Sequence, residues 1–458
     1  MSNESKRIQD ELLAPMLTTS RAYWVTIWIS LGFVMLGIIA WIYQVVEGLG
    51  VTGLSHRVFW GIYISNFIFF IGISYSGTLI SAVLRLTNAG WRTPLTRMAE
   101  QITVIGIIVG FSMILFDMGR PGRLFLVPYA SRLQSPLFWD MLSVSTYLMG
   151  SLLFFFLPLI PDMAILRDYF SEIDQPSRFN RIRTKFYTMC ALGWKGTPSQ
   201  KKALDKAIGF MSVILIPIAI LCHTVIAFIF AMTWRVGWHS TIFGPYFVVA
   251  AIFSGTAAII IVMTVMRKIY NLEEYITQKH YRNMSYVLFL LLGGYLYFTI
   301  TEYFTTAYRA NIHDMELLEE MFYGRYAVYF WFFIVIGMMI PGILLLIGSW
   351  KYESDKSIPL IFSAAVMIVV GMWVKRYIII VPALARPYVE QEWSTYSPTW
   401  VEWVITAGGV AGFVLAFAVF AKLFPLISIW EIQEEYEKEH ITKISTILKT
   451  GKLSREEQ

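Results

Sequence analysis

Residues Phe116–Tyr147 read FDMGRPGRLFLVPYASRLQSPLFWDMLSVSTY. A long apolar run precedes this stretch and another follows it. The pattern therefore predicts that Asp117 ends one membrane helix, that Arg120 and Arg123 sit in the turn, and that Asp140 opens the next helix. Gly119, Pro121 and Gly122 fit a fixed turn between the helices rather than a floppy loop. Two carboxylates and two guanidiniums are thus expected together at one membrane face. An ionisable side chain at the edge of the hydrocarbon is costly unless paired or wetted, which makes each of these residues a functional candidate.

Outward from this stretch, the composition sets the class. Of 458 residues, 57% are hydrophobic and 15% charged, and the mean hydropathy is +0.59. Such a chain carries too much apolar surface for water. Runs of about 20 apolar residues match a hydrocarbon layer of about 30 Å at a rise of about 1.5 Å per residue. Ten such runs are read, at 23–46, 58–84, 98–117, 138–161, 207–232, 245–267, 284–307, 326–350, 358–381 and 400–425. The expectation is an all-α, polytopic membrane protein. Its net charge of +6 follows from where Lys and Arg must sit beside a bilayer and does not point to nucleic acid.

The charge distribution orients the chain. Only eight of the 37 Lys and Arg residues fall in the segments on one side, Lys375 and Arg376 lie within a helix, and the rest fall on the other side. The excess marks the cytoplasmic side, so both termini are expected there, with a cytoplasmic segment at 1–22 and a cytoplasmic tail at 426–458. The first apolar run is too long for a signal-peptide core and reads as a retained helix. The basic cytoplasmic loop 162–206 mixes aromatic residues with Arg and Lys and suits an interfacial segment on anionic lipid, with docking to a cytoplasmic partner as the alternative. The tail reads as a solvated surface helix.

A faint internal repeat divides the rest. WGIYISNFIFFIGISYSGTLISAVLRL in the second helix and FGPYFVVAAIFSGTAAIIIVMTVMRK in the sixth share a G-x-Y start, an S-G-T step and a basic end. Phe138–Trp139 in the fourth helix corresponds to Phe330–Trp331 in the eighth. Two four-helix bundles follow, at 58–232 (helices 2–5) and 245–381 (helices 6–9), with flanking helices at 23–46 and 400–425. Asp140 has Phe332 as its counterpart, so the carboxylate belongs to the first bundle alone.

The redox chemistry this chain can hold is narrow. Cys190, read in a loop, and Cys222, read in a helix, form no CxxC pair, so neither an iron–sulfur cluster nor structural zinc is expected. Of six histidines, only His223 is read within a helix; His56, His239, His280, His313 and His440 are read in loops or the tail. A bis-histidine haem is therefore excluded, and no flavin motif is present. Other intramembrane polar residues, His223, Glu302, Lys375 and Arg376, are expected at the same depth as the opening stretch, in the outward third of their helices.

Four motifs carry a resemblance. They are GTLISAVLRL (Gly77–Leu86), the MGRP turn after Asp117, SPLFWD followed by STY (Ser135–Asp140, Ser145–Tyr147), and LIPDMAILRD (Leu159–Asp168). In these the chain resembles the NrfD and PsrC membrane subunits, and within them the ActC and QrcD type of alternative complex III and related quinone-linked complexes. The resemblance implies two four-helix bundles plus flanking helices and no redox cofactor in the subunit. It also implies electron exchange between a membrane quinone and an iron–sulfur subunit, with the quinone site in the first bundle near the outer face. Where many related proteins have His, this chain has Tyr75. A phenol still donates to a quinone oxygen but is a poorer proton acceptor than imidazole, so deprotonation is expected to fall on Asp140 or Asp117.

The resulting expectations are specific. Asp140, Tyr75, Ser76, Trp139, Arg120 and His223 would hold a quinone, menaquinone in the first instance, as bound substrate, with Asp140 and Asp117 as acid–base groups. Asp117, Glu302, Lys375 and Arg376 would form a proton path. An extracytoplasmic iron–sulfur subunit would be the electron partner, with other membrane, cytochrome or molybdopterin subunits beside it, in a bacterial cytoplasmic membrane. The plainer readings are that Asp140 is a helix-start carboxylate, that Asp117 and Arg120 form an ion pair closing the turn, and that His223 is a packing residue. Two parallel repeats with buried polar residues also describe a secondary transporter or a proton-conducting module without quinone chemistry.

Overall fold

A computed structural model describes residues 3–173, 178–351, 354, 356–389 and 392–438. All regular elements among the described residues are helical. α1 (Asn3–Leu17), α2 (Arg21–Glu47), α3 (Ile62–Leu86) and α4 (Thr93–Asp117) come first. A 3₁₀ turn at Pro121–Leu126 and the one-turn α5 (Val127–Ala130) lead into α6 (Pro136–Ser171). Then come α7 (Arg178–Cys190), α8 (Pro198–Ala231), α9 (Phe243–Ile269), α10 (Gln278–Arg309) and the short α11 (Ile312–Phe322). α12 (Ala327–Ile334) and α13 (Ile340–Trp350) are joined through a π turn at Val335–Met339 into one continuous helix, and α14 (Ser357–Ala385) and α15 (Trp400–Leu423) follow. Among the described residues ten helices are long and apolar enough to cross a membrane, and the chain is an all-α, multi-pass membrane protein. Helices are the outcome because a backbone in hydrocarbon has to satisfy its own hydrogen bonds.

The chain forms two compact units. The larger comprises Ser20–Phe155 and Gly209–Phe420. Its centre is α3, buried along almost its whole length. α2 instead presents Trp24, Trp28, Ile39 and Val46 outward, as a helix facing lipid does. α2 packs on α15, where a Cβ on Gly37 would lie 3.1 Å from the Cα of Gly408. The two helices expected at the flanks thus lie against each other, and Ala40, Ile62, Tyr63, Val401 and Ile405 join them to α3 in one buried core.

The repeated S-G-T step has a packing reason. A Cβ on Gly77 would stand 2.2 Å from the carbonyl oxygen of Ala99 in α4, and one on Gly255 would stand 2.2 Å from the Cβ of Ser76 in α3. Only hydrogen fits at either place, which lets α3 approach α4 on one side and α9 on the other. The hydroxyl of Ser76 donates to the carbonyl of Ile252 at 3.2 Å and lies 3.4 Å from that of Thr256. The two S-G-T steps therefore meet each other across the α3–α9 contact.

The smaller unit comprises Met1–Thr19, Phe156–Ile208 and Ala421–Gln458. The buried carboxylate of Asp162 accepts from the backbone N–H groups of Ile429 and Trp430, each at 3.1 Å, and so caps the helix at 429–438. The Lys422 ammonium donates to the carbonyls of Pro15 and Thr18, placing a cation at the negative end of α1.

Several local expectations change. The loop 162–206 is largely helical: α6 runs on to Ser171, α7 occupies the middle, and α8 begins at Pro198. Cys190 is consequently the last residue of a helix. His280 lies in the first turn of α10 and His313 in α11, not in loops. The segment 1–22 carries α1. In the tail, Ile429 and Glu431 are buried, so the start of that helix is packed and not simply solvated. His440 lies outside the described residues.

Candidate functional site

Within the larger unit, α3, α6 and α8 turn a set of polar side chains toward one another. Asp140, Ser143 and Tyr147 stand at i, i+3 and i+7 on α6 and share a face. The hydroxyl of Tyr75, from α3, donates to the Cys222 sulfur at 2.6 Å, and the Cys222 thiol donates to the hydroxyl of Ser143 at 3.3 Å. Tyr147 donates to the carbonyl of Ser74 at 3.1 Å and lies 2.7 Å from the hydroxyl of Thr78. The rings of Tyr75 and Tyr147 are 4.4 Å apart. Asp140 is 8% exposed, and its Oδ1 has no hydrogen-bond partner among the described residues.

His223 continues the set. Its ring meets that of Tyr75 edge-on at 4.9 Å and lies 6.1 Å from that of Phe247, and neither nitrogen makes a standard hydrogen bond among the described residues. Beyond Phe247, at 5.7 Å, is the guanidinium of Arg376 from α14. Arg376 is 1% exposed, and its three nitrogens have no hydrogen-bond partner among the described residues. Gly72 of α3 lies beside it, where a Cβ would stand in ordinary contact 3.6 Å from Nη2. A buried guanidinium with unused donors is among the costliest groups a protein can hold, which is itself a mark of function.

Lys375, the neighbour of Arg376, faces elsewhere. Its ammonium donates to the hydroxyl of Tyr303 at 2.7 Å and lies 5.2 Å from the Phe333 ring centroid. With Glu302, which accepts from the hydroxyl of Ser240, it borders a cavity of about 50 Å³ also lined by Tyr246, Thr306 and Asp314. Its walls are largely apolar, with these polar groups set among Trp238, Phe243, Leu317 and Ile378, and its volume admits water at the polar end. Lys375 and Glu302 share the cavity without closing into an ion pair among the described residues.

Asp117 does not join Asp140. It belongs with Tyr63 and Glu402, in a polar patch where Tyr63 donates to Gln44 at 2.7 Å and Gln44 donates to the carbonyl of Phe116 at 2.7 Å. Glu402 is fully buried and accepts from the Gly53 N–H at 2.7 Å, the Tyr396 hydroxyl at 2.6 Å and the Thr399 N–H at 2.9 Å. Arg120 is exposed and pairs with neither aspartate among the described residues, so the expected meeting of two carboxylates and two guanidiniums does not form. Ser76 faces α9 as described above. Trp139 is half exposed, and its indole donates to the carbonyl of Leu133 at 2.7 Å.

Ser143, Cys222 and Glu402 are not among the expected site residues. A lone thiol or hydroxyl in an apolar run gives no signal, whereas Glu402 was legible as an ionisable residue inside the last apolar run.

The fold is that of a multi-pass membrane protein, and the interior of its larger unit holds a carboxylate, a thiol, phenols, an imidazole and a guanidinium. The chain belongs to the family described as polysulphide reductase, NrfD, which it matches over residues 50–387. It is similar to the Hdr-like menaquinol oxidoreductase integral membrane subunit of Archaeoglobus fulgidus (22% identity; 85% of this chain, 90% of the relative). A further relative is the menaquinone reductase integral membrane subunit of Nitratidesulfovibrio vulgaris (23% identity; 87% and 91%). It is also similar to a selenate reductase subunit of Mesobacillus selenatarsenatis, with 24% identity over 89% of this chain and 94% of the relative.

Proposed function

We propose that this chain is the quinone-interacting membrane subunit of a respiratory oxidoreductase complex, of the ActC and QrcD type, and that menaquinol or menaquinone reacts in the Asp140–Tyr75–His223 layer. The observation that carries this reading is Asp140: a buried carboxylate with a free oxygen, within electrostatic reach of Tyr75, whose ring in turn meets that of His223, in a chain whose relatives include subunits named for menaquinol and menaquinone. Quinol oxidation releases two electrons and two protons. Asp140 accepts the proton of one hydroxyl and the His223 imidazole that of the other, while Tyr75, released from Cys222, turns its hydroxyl to the developing carbonyl. Both electrons pass to an iron–sulfur subunit docked on the extracytoplasmic side. Quinone reduction runs the same steps backward.

Protons leave through His223 and Arg376 toward the Lys375–Glu302 cavity, with Asp117 in a separate patch nearer Glu402. Arg376, without a hydrogen-bond partner among the described residues, and the Lys375 and Glu302 side chains bordering one cavity support that route. In this reading both termini are cytoplasmic, in a bacterial inner membrane.

The test is titration of the intact complex with a fluorescent quinone-analogue inhibitor, comparing wild type with Asp140→Asn and Tyr75→Phe. Weakening by about tenfold, equivalent to about 1.4 kcal/mol, is expected for either substitution. Absence of saturable binding by the wild-type complex would reject quinone chemistry in favour of transport.

A further inference from the structure

α7 carries Arg178, Arg181, Arg183 and Lys185 and no acidic residue in its 13 residues. One face is fixed inward. The Arg183 guanidinium lies 4.6 Å over the ring of Phe170 and donates to the carbonyl of Lys422 at 3.2 Å, and Tyr187 is buried and donates to that of Leu423 at 3.3 Å. The opposite face carries Arg181, Ile182, Lys185 and Met189, and Ile182, Met189 and Leu192 are each at least 60% exposed. Arg181 and Lys185, one turn apart, have neither an ion pair nor a side-chain hydrogen bond among the described residues.

These two cations border an open groove of about 570 Å³, walled otherwise by Phe170, Ser171, Met189, Thr184 and Thr188. Both threonine hydroxyls and that of Ser171 already donate to helix carbonyls, at 3.0, 2.7 and 2.8 Å, so the groove's free donors among the described residues are Arg181 and Lys185. Asp168, the nearby acid on α6, is engaged by Arg167 at 2.7 Å, and Glu172 is exposed. The groove is therefore positive, with an apolar margin.

Helix length places it. α6 and α8 are 36 and 34 residues long, whereas about 20 residues cross the hydrocarbon. The ends that flank α7 in sequence consequently extend past the acyl chains to headgroup level. Exposed Ile, Met and Leu beside Arg and Lys at that level have the pattern of a helix lying in the interface.

We propose that the Arg181–Lys185 groove binds the headgroup phosphate of an anionic glycerophospholipid, with an acyl chain along Ile182, Met189 and Leu192. A zwitterionic lipid brings its own cation and leaves the two positive charges uncompensated, and a free phosphate ion gains nothing from the apolar margin. The proposal rests on the membrane fold and is independent of the quinone reading.

The experiment reconstitutes the full chain in phosphatidylcholine nanodiscs containing about one tenth phosphatidylglycerol, with retained lipids counted by native mass spectrometry. Wild type is expected to retain phosphatidylglycerol at least about tenfold over its share of the bilayer. Arg181→Gln with Lys185→Gln should abolish that preference, and the charge-conserving pair Arg181→Lys with Lys185→Arg should restore it. A control of equal charge loss, Lys195→Gln with Lys201→Gln, should keep it. Equal loss in the control would reduce the effect to general basicity and overturn the site. So would retention by the Gln pair, or displacement of the lipid by millimolar inorganic phosphate, which would mark a simple anion site.

Discussion

The hydroxyl of Tyr75 and the thiol of Cys222 are hydrogen-bonded partners at 2.6 Å, in the layer that also holds Asp140 and His223. The phenol is therefore committed to a protein acceptor and has to leave it to serve a ligand. Tyr75→Phe should lower kcat for quinol oxidation by about tenfold or more, the scale of one positioned hydrogen bond. Cys222→Ala frees the phenol and should cost less, leaving kcat within about threefold of wild type. Steady-state turnover of the intact complex with a soluble menaquinol analogue measures both, and a larger loss for Cys222→Ala would assign the chemistry to the thiol instead.

Asp117 and Asp140 lie in different polar patches, so their effects should separate. Asp140→Asn removes the proton acceptor and is expected to reduce turnover by about 100-fold or more. Asp117→Asn acts at a distance and should cost less than about tenfold, and the double substitution should be close to the product of the two. A double variant no slower than Asp140→Asn alone would tie both residues to one proton path.

The same two aspartates show how far the sequence could be read. Membrane helices, their number and the turn after Asp117 follow from apolar length and from Gly119, Pro121 and Gly122, because hydrocarbon thickness and backbone hydrogen bonding leave few alternatives. Which way a helix turns each polar residue is set by packing. The Asp117–Arg120 pair failed for that reason: α4 directs Asp117 toward Tyr63 and Glu402 while the turn leaves Arg120 exposed. The S-G-T repeat was visible as a pattern, yet its cause, a contact where Gly255 sits against Ser76, needs both helices in place. Cys222 and Ser143 carry no pattern at all. His280 was misplaced because a polar first turn, QKHYRN, precedes the apolar run of α10 and hides the helix start.

Gly77→Ala tests that packing directly. The new methyl would meet the carbonyl of Ala99 at 2.2 Å and the hydroxyl of Thr103 at 2.4 Å, neither of which is a flexible side-chain end. α3 and α4 would have to move apart, at a cost of about 1–3 kcal/mol. A lower Tm of the detergent-solubilised protein is expected, and an unchanged Tm would contradict the close approach.

Outside the membrane spans, Glu320 provides a pH readout. Burial pulls its pKa upward, but the hydrogen bond from Arg386 at 2.7 Å, the Arg325 N–H at 3.1 Å and both guanidinium charges outweigh burial and hold it below its ordinary 4.5. A carboxylate depressed in the folded state stabilises above its unfolded pKa, and that contribution disappears as pH falls through the folded value. Glu320→Gln should therefore lower stability at pH 7 by about 1 kcal/mol, since the pair is partly exposed. The difference from wild type should narrow below about pH 4.5. Thermal melts at several pH values measure it, and a gap that widens in acid would reverse the assignment.

Arg376 allows function and stability to be read in opposite directions. Its guanidinium is 1% exposed, lies 5.7 Å from the Phe247 ring and has no hydrogen-bond partner among the described residues. A group retained only for packing would be favoured by its surroundings, and replacing it would destabilise the fold. A buried cation without a partner carries a desolvation cost that an apolar side chain of similar length does not, and such replacements are typically neutral or stabilising by about 1–4 kcal/mol. Arg376→Met is thus expected to leave Tm equal or higher while lowering proton-coupled turnover by at least about tenfold. Arg376→Lys should retain part of the turnover, because an ammonium keeps the charge but not the planar donor set. If Arg376→Met lowers Tm with turnover per folded protein unchanged, the guanidinium is a structural element and the proton route through α14 is wrong.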